Sequence, residues 1–315
     1  MDGRNETGTF ESEKNIMAQF DVAECLVDFS RKTQQHGVAY VDNPEVISEE
    51  LAAEVSMKAF VLKTFYAPPG AVLAKPSQGQ VGFLRQERIP SDGRSQYAVT
   101  PVTAKHNLIR ILETKTSRKV ELNALEAGSY PPWDPQSKLY LVFTDLNWTP
   151  TDKNHFILRD KKLKHPLIWP FGIDISMGEK ITSCTQGITS KDASFELAGK
   201  AYRFKAGQKI GIAVFSEHKP TNVTASYDPK HPSNFSVEQL KQAFGKPNQV
   251  NVYTGKIILA GDKHIEHDIN SFTGCSGAVI FLLEGENKGK AVAIHAGSHP
   301  SMRTRNVGFK LVDVR

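Results

Sequence analysis

A serine between two glycines is the residue of this sequence best suited to nucleophilic chemistry. Ser276 lies in the stretch SFTGCSGAVIF, where Gly274 and Gly277 bracket a Cys-Ser pair. A nucleophilic serine needs a tight turn that exposes its Oγ, and backbone N–H groups aimed at the oxyanion that develops during attack. Gly274 allows that close approach because it has no side chain to block the substrate. The alternative for a G-x-S-G pattern taken alone is an ordinary Gly/Ser β-turn.

A histidine and an aspartate are candidates for activating this serine. His106 ends the β-rich run VTPVTAKHN and can act as a general base if a carboxylate fixes its tautomer. Asp174 lies in the apolar run GIDISM, and a buried carboxylate needs a strong partner such as an imidazole N–H. Asp145, in LVFTDLNW, is the second candidate for this orienting role. Taken singly, His106 could be a polar surface residue and Asp174 a strand-edge residue that faces water.

Together these elements resemble the trypsin-like serine peptidases. The order His, Asp, Ser along the chain is the order of that family. The matching motifs are Val-Thr-Ala-x-His at 102–106, Asp-Ile-Ser at 174–176, Gly-x-Ser-Gly at 274–277 and Gly-Gln-Lys-Ile-Gly-Ile at 207–212. Each motif is weak alone, and their order makes the resemblance specific over residues 76–315.

The resemblance implies a mainly β fold with two antiparallel β-barrels of the chymotrypsin class. It implies a partly helical N-terminal extension at residues 1–75, a first barrel at 76–200 and a second barrel at 201–315. In the implied serine endopeptidase, His106 is the base and Asp174 orients it, and both belong to the first barrel. Ser276 in the second barrel forms an acyl-enzyme with a protein or peptide substrate. The N–H groups of Gly274 and Ser276 form the oxyanion hole, and no metal or organic cofactor is needed.

Two positions depart from the pattern of the family. Secreted digestive members carry an Asp directly before the nucleophile, and it pairs with a freed N-terminus on activation. Cys275 occupies that position, so this salt bridge cannot form here. Ala278 and Val279 follow the second glycine, where the family often has Ser or Gly and then Pro. The departures leave open an alternative, a catalytically inactive peptidase-fold protein that binds peptides or protein partners.

Two further alternatives concern Cys275 and the N-terminal region. In the viral cysteine members of this fold, the nucleophile directly precedes the second glycine, and here that residue is Ser276. We therefore expect Cys275 to point away from the substrate. A third functional hypothesis is a peptidase held inactive until residues 1–75 are displaced or removed.

His295 is the candidate specificity residue. It lies in the run AIHAGS downstream of the nucleophile, and its I-H-x-G pattern resembles that of the glutamyl-specific bacterial and viral 3C-like members. In those members the histidine hydrogen-bonds an acidic or amide P1 side chain. The resemblance thus implies a preference for Glu or Gln at P1, in a pocket that Ser271, Thr273, Ala296 and Gly297 also line. The alternative is a structural histidine with satisfied hydrogen bonds.

Short β-rich runs separated by Gly, Pro, Asn and Asp dominate the chain after residue 76, which is typical of barrels and sandwiches. They cover residues 80–84, 96–103, 138–144, 209–215, 249–259, 278–283 and 291–295. Helical patterns cover residues 46–66, with Ser48 as N-cap, and 236–244. The polar stretch from His264 to Asp268 favours a turn over a metal site, which would need three or four converging ligands.

Composition argues against several other classes. The formal net charge of +5 comes from 39 Lys+Arg against 34 Asp+Glu, and it is spread along the chain rather than gathered in a nucleic-acid-binding patch. The 3 cysteines form neither a disulfide framework nor a zinc spacing. The first twenty residues lack the apolar region of a signal peptide, and no apolar run reaches the roughly 20 residues of a membrane span. We expect a cytoplasmic protein without nucleic-acid or membrane partners.

Overall fold

The computed structural model of the protein describes residues 27–28, 30–66, 75–90, 96–107, 109–113, 119–123, 139–143, 155–157, 167–168, 175–178, 180, 182, 189–216, 237–247, 249–299 and 304–311. Two α-helices lie in these ranges, α1 (Glu49–Ser56) and α2 (Val237–Phe244), together with a short 3-10 helix (Lys105–Asn107). The strands of the same ranges are β1 (Gln34–His36), β2 (Ala39–Val41), β3 (Phe60–Tyr66), β4 (Lys75–Ile89), β5 (Gln96–Thr103), β6 (Ile109–Glu113), β7 (Lys119–Asn123), β8 (Leu139–Phe143), β9 (His155–Ile157), β10 (Leu167–Ile168), β11 (Ser176–Gly178), β12 (Phe195–Glu196), β13 (Lys209–Ser216), β14 (Gln249–Ala260), β15 (His264–His267), β16 (Val279–Leu282), β17 (Ala291–Ser298) and β18 (Asn306–Lys310). No helix in these ranges combines the length and apolar character needed to cross a bilayer.

Six strands from the second half of the chain close into an antiparallel barrel. Their order is β14, β13, β16, β17, β18, β15, and β15 pairs with β14 to complete the circle. Side chains alternate between the two faces of a strand, so Ile210, Ile212 and Val214 of β13 share one face. They are buried in one hydrophobic cluster with Tyr253 and Phe272. Closure pairs both edges of every strand in the barrel.

The N-terminal segment is built onto this barrel. Strand β2 pairs in parallel with β14, with Tyr40 opposite Asn251 and Val41 opposite Val252. Helix α1 turns Leu51 and Val55 into a second hydrophobic cluster, which also holds Val41 and Val252; Leu51 is 5% exposed and Val55 is 0% exposed. The described part of residues 1–75 therefore packs against the barrel and covers part of its surface.

The sequence prediction of a helix over residues 46–66 is correct only for its first half. Ser48 caps α1 as predicted, because its hydroxyl accepts a hydrogen bond from Leu51 N at 3.3 Å. After the helix, the chain forms β3, which pairs with β4 on one side and β8 on the other. The β-prone residues from Phe60 to Tyr66 obtain backbone hydrogen bonds from two neighbours there, which outweighs their local helical periodicity.

Another antiparallel sheet, called the first sheet because its strands precede the barrel strands along the chain, carries the first half of the site. Its order is β10, β11, β5, β4, β3, β8, β9. Residues 195–197 link the two sheets, because Phe195 pairs in parallel with Leu84 of β4 and Leu197 bridges to Ala291 of β17. The Phe195 ring also stacks on Phe281 of the barrel, with ring centroids 6.0 Å apart. The two sheets thus share a packed boundary.

The mainly β fold class predicted from the sequence is confirmed. The described residues hold a closed six-stranded antiparallel barrel and the first sheet, an architecture consistent with the chymotrypsin-like fold. Each of the seven predicted strand runs overlaps an observed strand, and the helix predicted at 236–244 matches α2 within one residue at its start. The division into units at 1–75, 76–200 and 201–315 stays a prediction.

Candidate active site

Ser276, the candidate nucleophile, lies on a tight turn between β15 and β16. Residues 273–278 are called the nucleophile turn below. Gly274 and Gly277, on either side of Ser276, have φ values of 97° and 90°, in the left-handed region that favours glycine. Two backbone hydrogen bonds shape this turn: Cys275 N donates to Phe272 O at 2.9 Å, and Gly277 N donates to His295 O at 2.8 Å. Gly274 and Ser276, whose amides are the two predicted oxyanion donors, directly precede Cys275 and Gly277 in the chain.

The serine side chain faces the predicted specificity strand β17. Ser276 is 7% exposed, and its Oγ is placed to donate to Ala296 O at 3.3 Å. A backbone hydrogen bond also joins β17 to the residues that follow Ser276, because His295 N donates to Ala278 O at 2.9 Å. The structure therefore brings three of the predicted site residues together, Ser276, His295 and Ala296. Their roles as nucleophile and P1 pocket stay predictions.

The carbonyl of Ser276 is where the two sheets meet. It accepts one hydrogen bond from Gln80 N at 2.7 Å and another from Asn107 Nδ2 at 2.9 Å. Asn107 also donates to Thr103 Oγ1 at 2.9 Å, and Thr103 Oγ1 donates to Gln80 O at 2.6 Å. All three partner residues belong to the first sheet and to the 3-10 helix that follows β5.

His106 lies next to Asn107, the residue that contacts the nucleophile turn. It directly precedes Asn107 in the 3-10 helix, and its side chain is half-buried. Because Asn107 is hydrogen-bonded to the Ser276 carbonyl, the backbone of His106 lies within one residue of a direct contact with the nucleophile turn. Sequence alone could place His106 at a strand end but could not show that the neighbouring Asn107 contacts Ser276.

The two candidate orienting carboxylates, Asp174 and Asp145, lie outside the described residues. The strand that begins two residues after Asp174 is β11, and it pairs with β5. In this register Ser176 lies opposite Thr103, three residues before His106. The described end of the Asp174 segment therefore lies beside the strand that leads into His106.

Cys275 is packed into the barrel. Its side chain is 1% exposed within the barrel's hydrophobic cluster, and its Sγ accepts a hydrogen bond from Phe272 N at 3.3 Å. A thiol buried among apolar groups resists ionisation and meets no solvent-borne substrate. The side chain at this position thus contributes packing beneath the nucleophile turn.

A buried pair of histidines lies behind the predicted P1 pocket. His295 and His267 are both 0% exposed, and His295 Nδ1 lies 3.3 Å from His267 Nε2. Ile269 N–H donates to His267 Nδ1 at 3.3 Å. Because His267 Nδ1 accepts a hydrogen bond, the proton of the neutral His267 ring lies on Nε2, the nitrogen nearest His295 Nδ1.

Burial keeps His267 uncharged. Loss of solvent and the neighbouring His295 ring lower the pKa of His267 well below its usual value, and a hydrogen bond to the backbone at Val307 opposes the shift only in part. The sequence prediction of a polar turn from His264 to Asp268 is wrong, because residues 264–267 form β15 between β14 and β18. The missed signal was the alternation that places Ile265 and His267 on one face of a strand, where both are 0% exposed.

The other predicted pocket residues differ in exposure and backbone geometry. Ser271 is 0% exposed, and its Oγ makes no hydrogen bond within the described part of the chain. Thr273 is exposed at the rim. Gly297, with φ of 137°, lies at the β-bulge that interrupts the pairing of β17 with β18. Across the described ranges, no group of three or more His, Cys, Asp or Glu side chains could hold a metal ion.

The chain is similar to known proteins in structure but matches none by sequence. No protein-family model and no curated protein matches the sequence. Similar solved structures include a Glu endopeptidase in complex with MPD, at 12% identity over 82% of this chain and 87% of that chain, with a TM-score of 0.44. They also include GrC, at 10% identity over 82% and 92% of the two chains, with a TM-score of 0.42. A catalytically active tobacco etch virus protease complexed with product matches at 10% identity over 82% and 74%, with a TM-score of 0.39. All three are peptidases of the chymotrypsin fold.

Proposed function

We propose that the protein is a serine endopeptidase with Ser276 as nucleophile, His106 as base and Asp174 as the carboxylate that orients the base. The observation that supports this most directly is the hydrogen bond from Asn107 to the Ser276 carbonyl, which holds the histidine-bearing helix against the nucleophile turn. The bond supports the proposal because His106 is the residue next to Asn107 in that helix.

The proposed reaction proceeds through an acyl-enzyme. Ser276 Oγ attacks the peptide carbonyl carbon as His106 takes its proton, and the oxyanion of the tetrahedral intermediate forms beside the N–H groups of Gly274 and Ser276. His106 then donates the proton to the leaving amine as the C–N bond breaks. Water enters, His106 takes one of its protons, and hydrolysis of the ester restores the serine. Asp174 stays ionised and stabilises the imidazolium.

The histidine pair supports a P1 preference for Glu or Gln. In the proposed pocket, the buried imidazole of His295 supplies an N–H donor to the P1 side chain, and Ser271 adds a buried hydroxyl. A buried donor favours a side chain that accepts from it and discriminates against one that cannot. Glutamine and glutamate side chains end in such acceptors, whereas Arg, Lys and Phe side chains do not.

Labelling with a fluorophosphonate probe tests the proposed nucleophile. We expect the purified full chain to be labelled, and Ser276→Ala and His106→Ala to lose labelling, because the probe reacts only with a serine activated by its neighbours. Asp174→Asn should slow labelling by about 10⁴-fold, since the histidine would adopt the wrong tautomer. Asp145→Asn should leave the rate unchanged.

The matched control is Ser56→Ala, which removes a buried hydroxyl bonded to Ala52 O in helix α1, far from the turn in sequence. It should label like the wild type. A wild type that is not labelled would favour the alternative, a peptidase-fold protein that binds peptides without cutting them. Loss of reactivity in Asp145→Asn rather than Asp174→Asn would reassign the orienting carboxylate.

A peptide library with every residue at P1 tests the specificity. Cleavage should follow Glu or Gln, and His295→Leu should lower kcat/KM for these peptides by roughly 100-fold while the variant still reacts with the probe. Retained reactivity separates a specificity effect from unfolding. Cleavage after Arg, Lys or Phe in the wild type would overturn the assignment of this pocket.

A further inference from the structure

Gln80 reaches from the first sheet into the barrel beneath the nucleophile turn. It lies in β4 and is 1% exposed. Its Nε2 donates to Gly274 O at 2.8 Å and to Phe215 O at 3.1 Å, and its Oε1 accepts from Phe215 N at 3.2 Å. Two donors and one acceptor are thus all engaged, with partners more than a hundred residues away along the chain.

The backbone of Gln80 grips the same turn at a second point. Its N–H donates to Ser276 O at 2.7 Å. One residue therefore holds the carbonyls of both Gly274 and Ser276, by its side chain and its backbone respectively. Gly274 O belongs to the peptide group that Gly274 shares with Cys275, and Ser276 O to the one that Ser276 shares with Gly277. The peptide group that carries Ser276 N–H lies between these two, and the one that carries Gly274 N–H directly precedes them. Gln80 therefore limits rotation of the chain next to both proposed oxyanion donors.

We propose that Gln80 is a positioning residue for the oxyanion hole, an inference that rests on the proposed peptidase function. Its carboxamide is clamped to Phe215 of β13, a strand of the closed barrel, and presents the remaining N–H to the Gly274 carbonyl. The clamp transmits the fixed position of β13 to a turn that has φ values near +90° at both glycines and no regular secondary structure of its own. Preorganised donors matter because they stabilise the transition state without moving during the reaction.

The chemistry of the contacts requires a carboxamide of this length. Glutamate would place a carboxylate oxygen against two carbonyl oxygens, and leucine would leave Gly274 O, Phe215 N and Phe215 O without this partner. Thr103 and Asn107 still hold the remaining contacts to the Ser276 carbonyl and to Gln80 O in such a variant. The turn would therefore keep its attachment to the first sheet and lose the link that orients Gly274.

Gln80→Leu tests the inference, with Asn251→Leu as matched control. Asn251 is also a fully buried carboxamide with one accepted and two donated backbone hydrogen bonds, to Lys246 and Gln249, but it does not touch the nucleophile turn. Both variants should lose similar thermal stability. Only Gln80→Leu should lower kcat, by roughly 100-fold, because misplacement by about 1 Å costs on that order.

Three readouts decide the outcome. For Gln80→Leu, KM on the best peptide from the P1 library should change less than about 3-fold, and the fluorophosphonate labelling rate should fall in parallel with kcat, because both reactions develop charge beside the oxyanion donors.

If Gln80→Leu does not fold, a second variant, Gln80→Asn, keeps the carboxamide on a side chain one methylene shorter. It should show the same fall in kcat with little change in KM, but a smaller one. An active wild type with kcat unchanged in a folded Gln80 variant would overturn this inference alone. A wild type with neither labelling nor turnover would overturn the proposed function and this inference with it.

Discussion

Gly277→Ala is expected to destroy the site and to unfold a large share of the protein. A Cβ at this position would lie 2.8 Å from Asn107 Nδ2 and still closer to Gln80 O and Thr103 Oγ1. These three atoms belong to the hydrogen bonds that join the first sheet to the Ser276 carbonyl, so none can retreat without breaking a bond. We expect a loss of several kcal/mol in the free energy of unfolding, together with loss of probe labelling.

Gly207→Ala separates the two contributions to that effect. Gly207 has φ of 86°, nearly that of Gly277 at 90°, but a Cβ there would meet nothing within 4 Å. It carries the cost of a left-handed backbone, about 1–2 kcal/mol, without a clash. Chemical denaturation of both variants measures the difference. Equal losses in the two variants would contradict the role given to the crowded space around Gly277.

Removal of residues 1–57 is expected to abolish folding rather than to activate the proposed peptidase. Strand β2, helix α1 and the residues that join and flank them place Val41, Ile47, Leu51 and Val55 in the hydrophobic core at 0–5% exposure. Burial of four such side chains contributes on the order of 8 kcal/mol, at about 2 kcal/mol each. That amount lies within the roughly 5–15 kcal/mol that stabilises a typical domain.

Residues 27–28 of the same segment make hydrogen bonds to Asn270, which precedes Ser276 in the chain. Asn270, six residues before Ser276, is 0% exposed, and its Oδ1 accepts from Val27 N at 2.9 Å and Asp28 N at 2.8 Å. Its Nδ2 donates to Asp28 O at 2.9 Å. Truncation would leave this buried carboxamide without these three partners, at a cost of about 1–3 kcal/mol for each group that stays unsatisfied.

Two truncated chains measure the effect. A chain that begins at residue 27 keeps every contact described here and should unfold cooperatively, whereas one that begins at residue 58 keeps β3 but should be insoluble or lack a cooperative transition. Circular dichroism melts and fluorophosphonate labelling of both chains give the comparison. A folded chain from residue 58 with labelling faster than the full chain would support instead the hypothesis that the N-terminal region inhibits the enzyme.

The sequence was most informative where the signal is local. Alternating apolar residues and turn-forming residues predicted strands such as 209–215, which the structure extends by one residue to Ser216. The pattern was misleading after Ser56, where apolar spacing suited a helix and two neighbouring strands captured the segment as β3. It also missed His267, because a single histidine in a polar stretch carries no sign that another imidazole from 28 residues away will lie against it.

The sequence by itself determined the mainly β class, the tight glycine turn at Ser276 and the identity of the candidate residues His106, Ser276 and His295. These follow from local backbone preferences and from motifs that are contiguous along the chain. Only the tertiary structure decided that Asn107 and Gln80 hold the nucleophile turn, since a hydrogen bond between positions more than a hundred residues apart depends on how two sheets pack. Side-chain contacts of that kind have no periodicity to detect, and they arise when burial of both sheets leaves each polar group only one partner within reach.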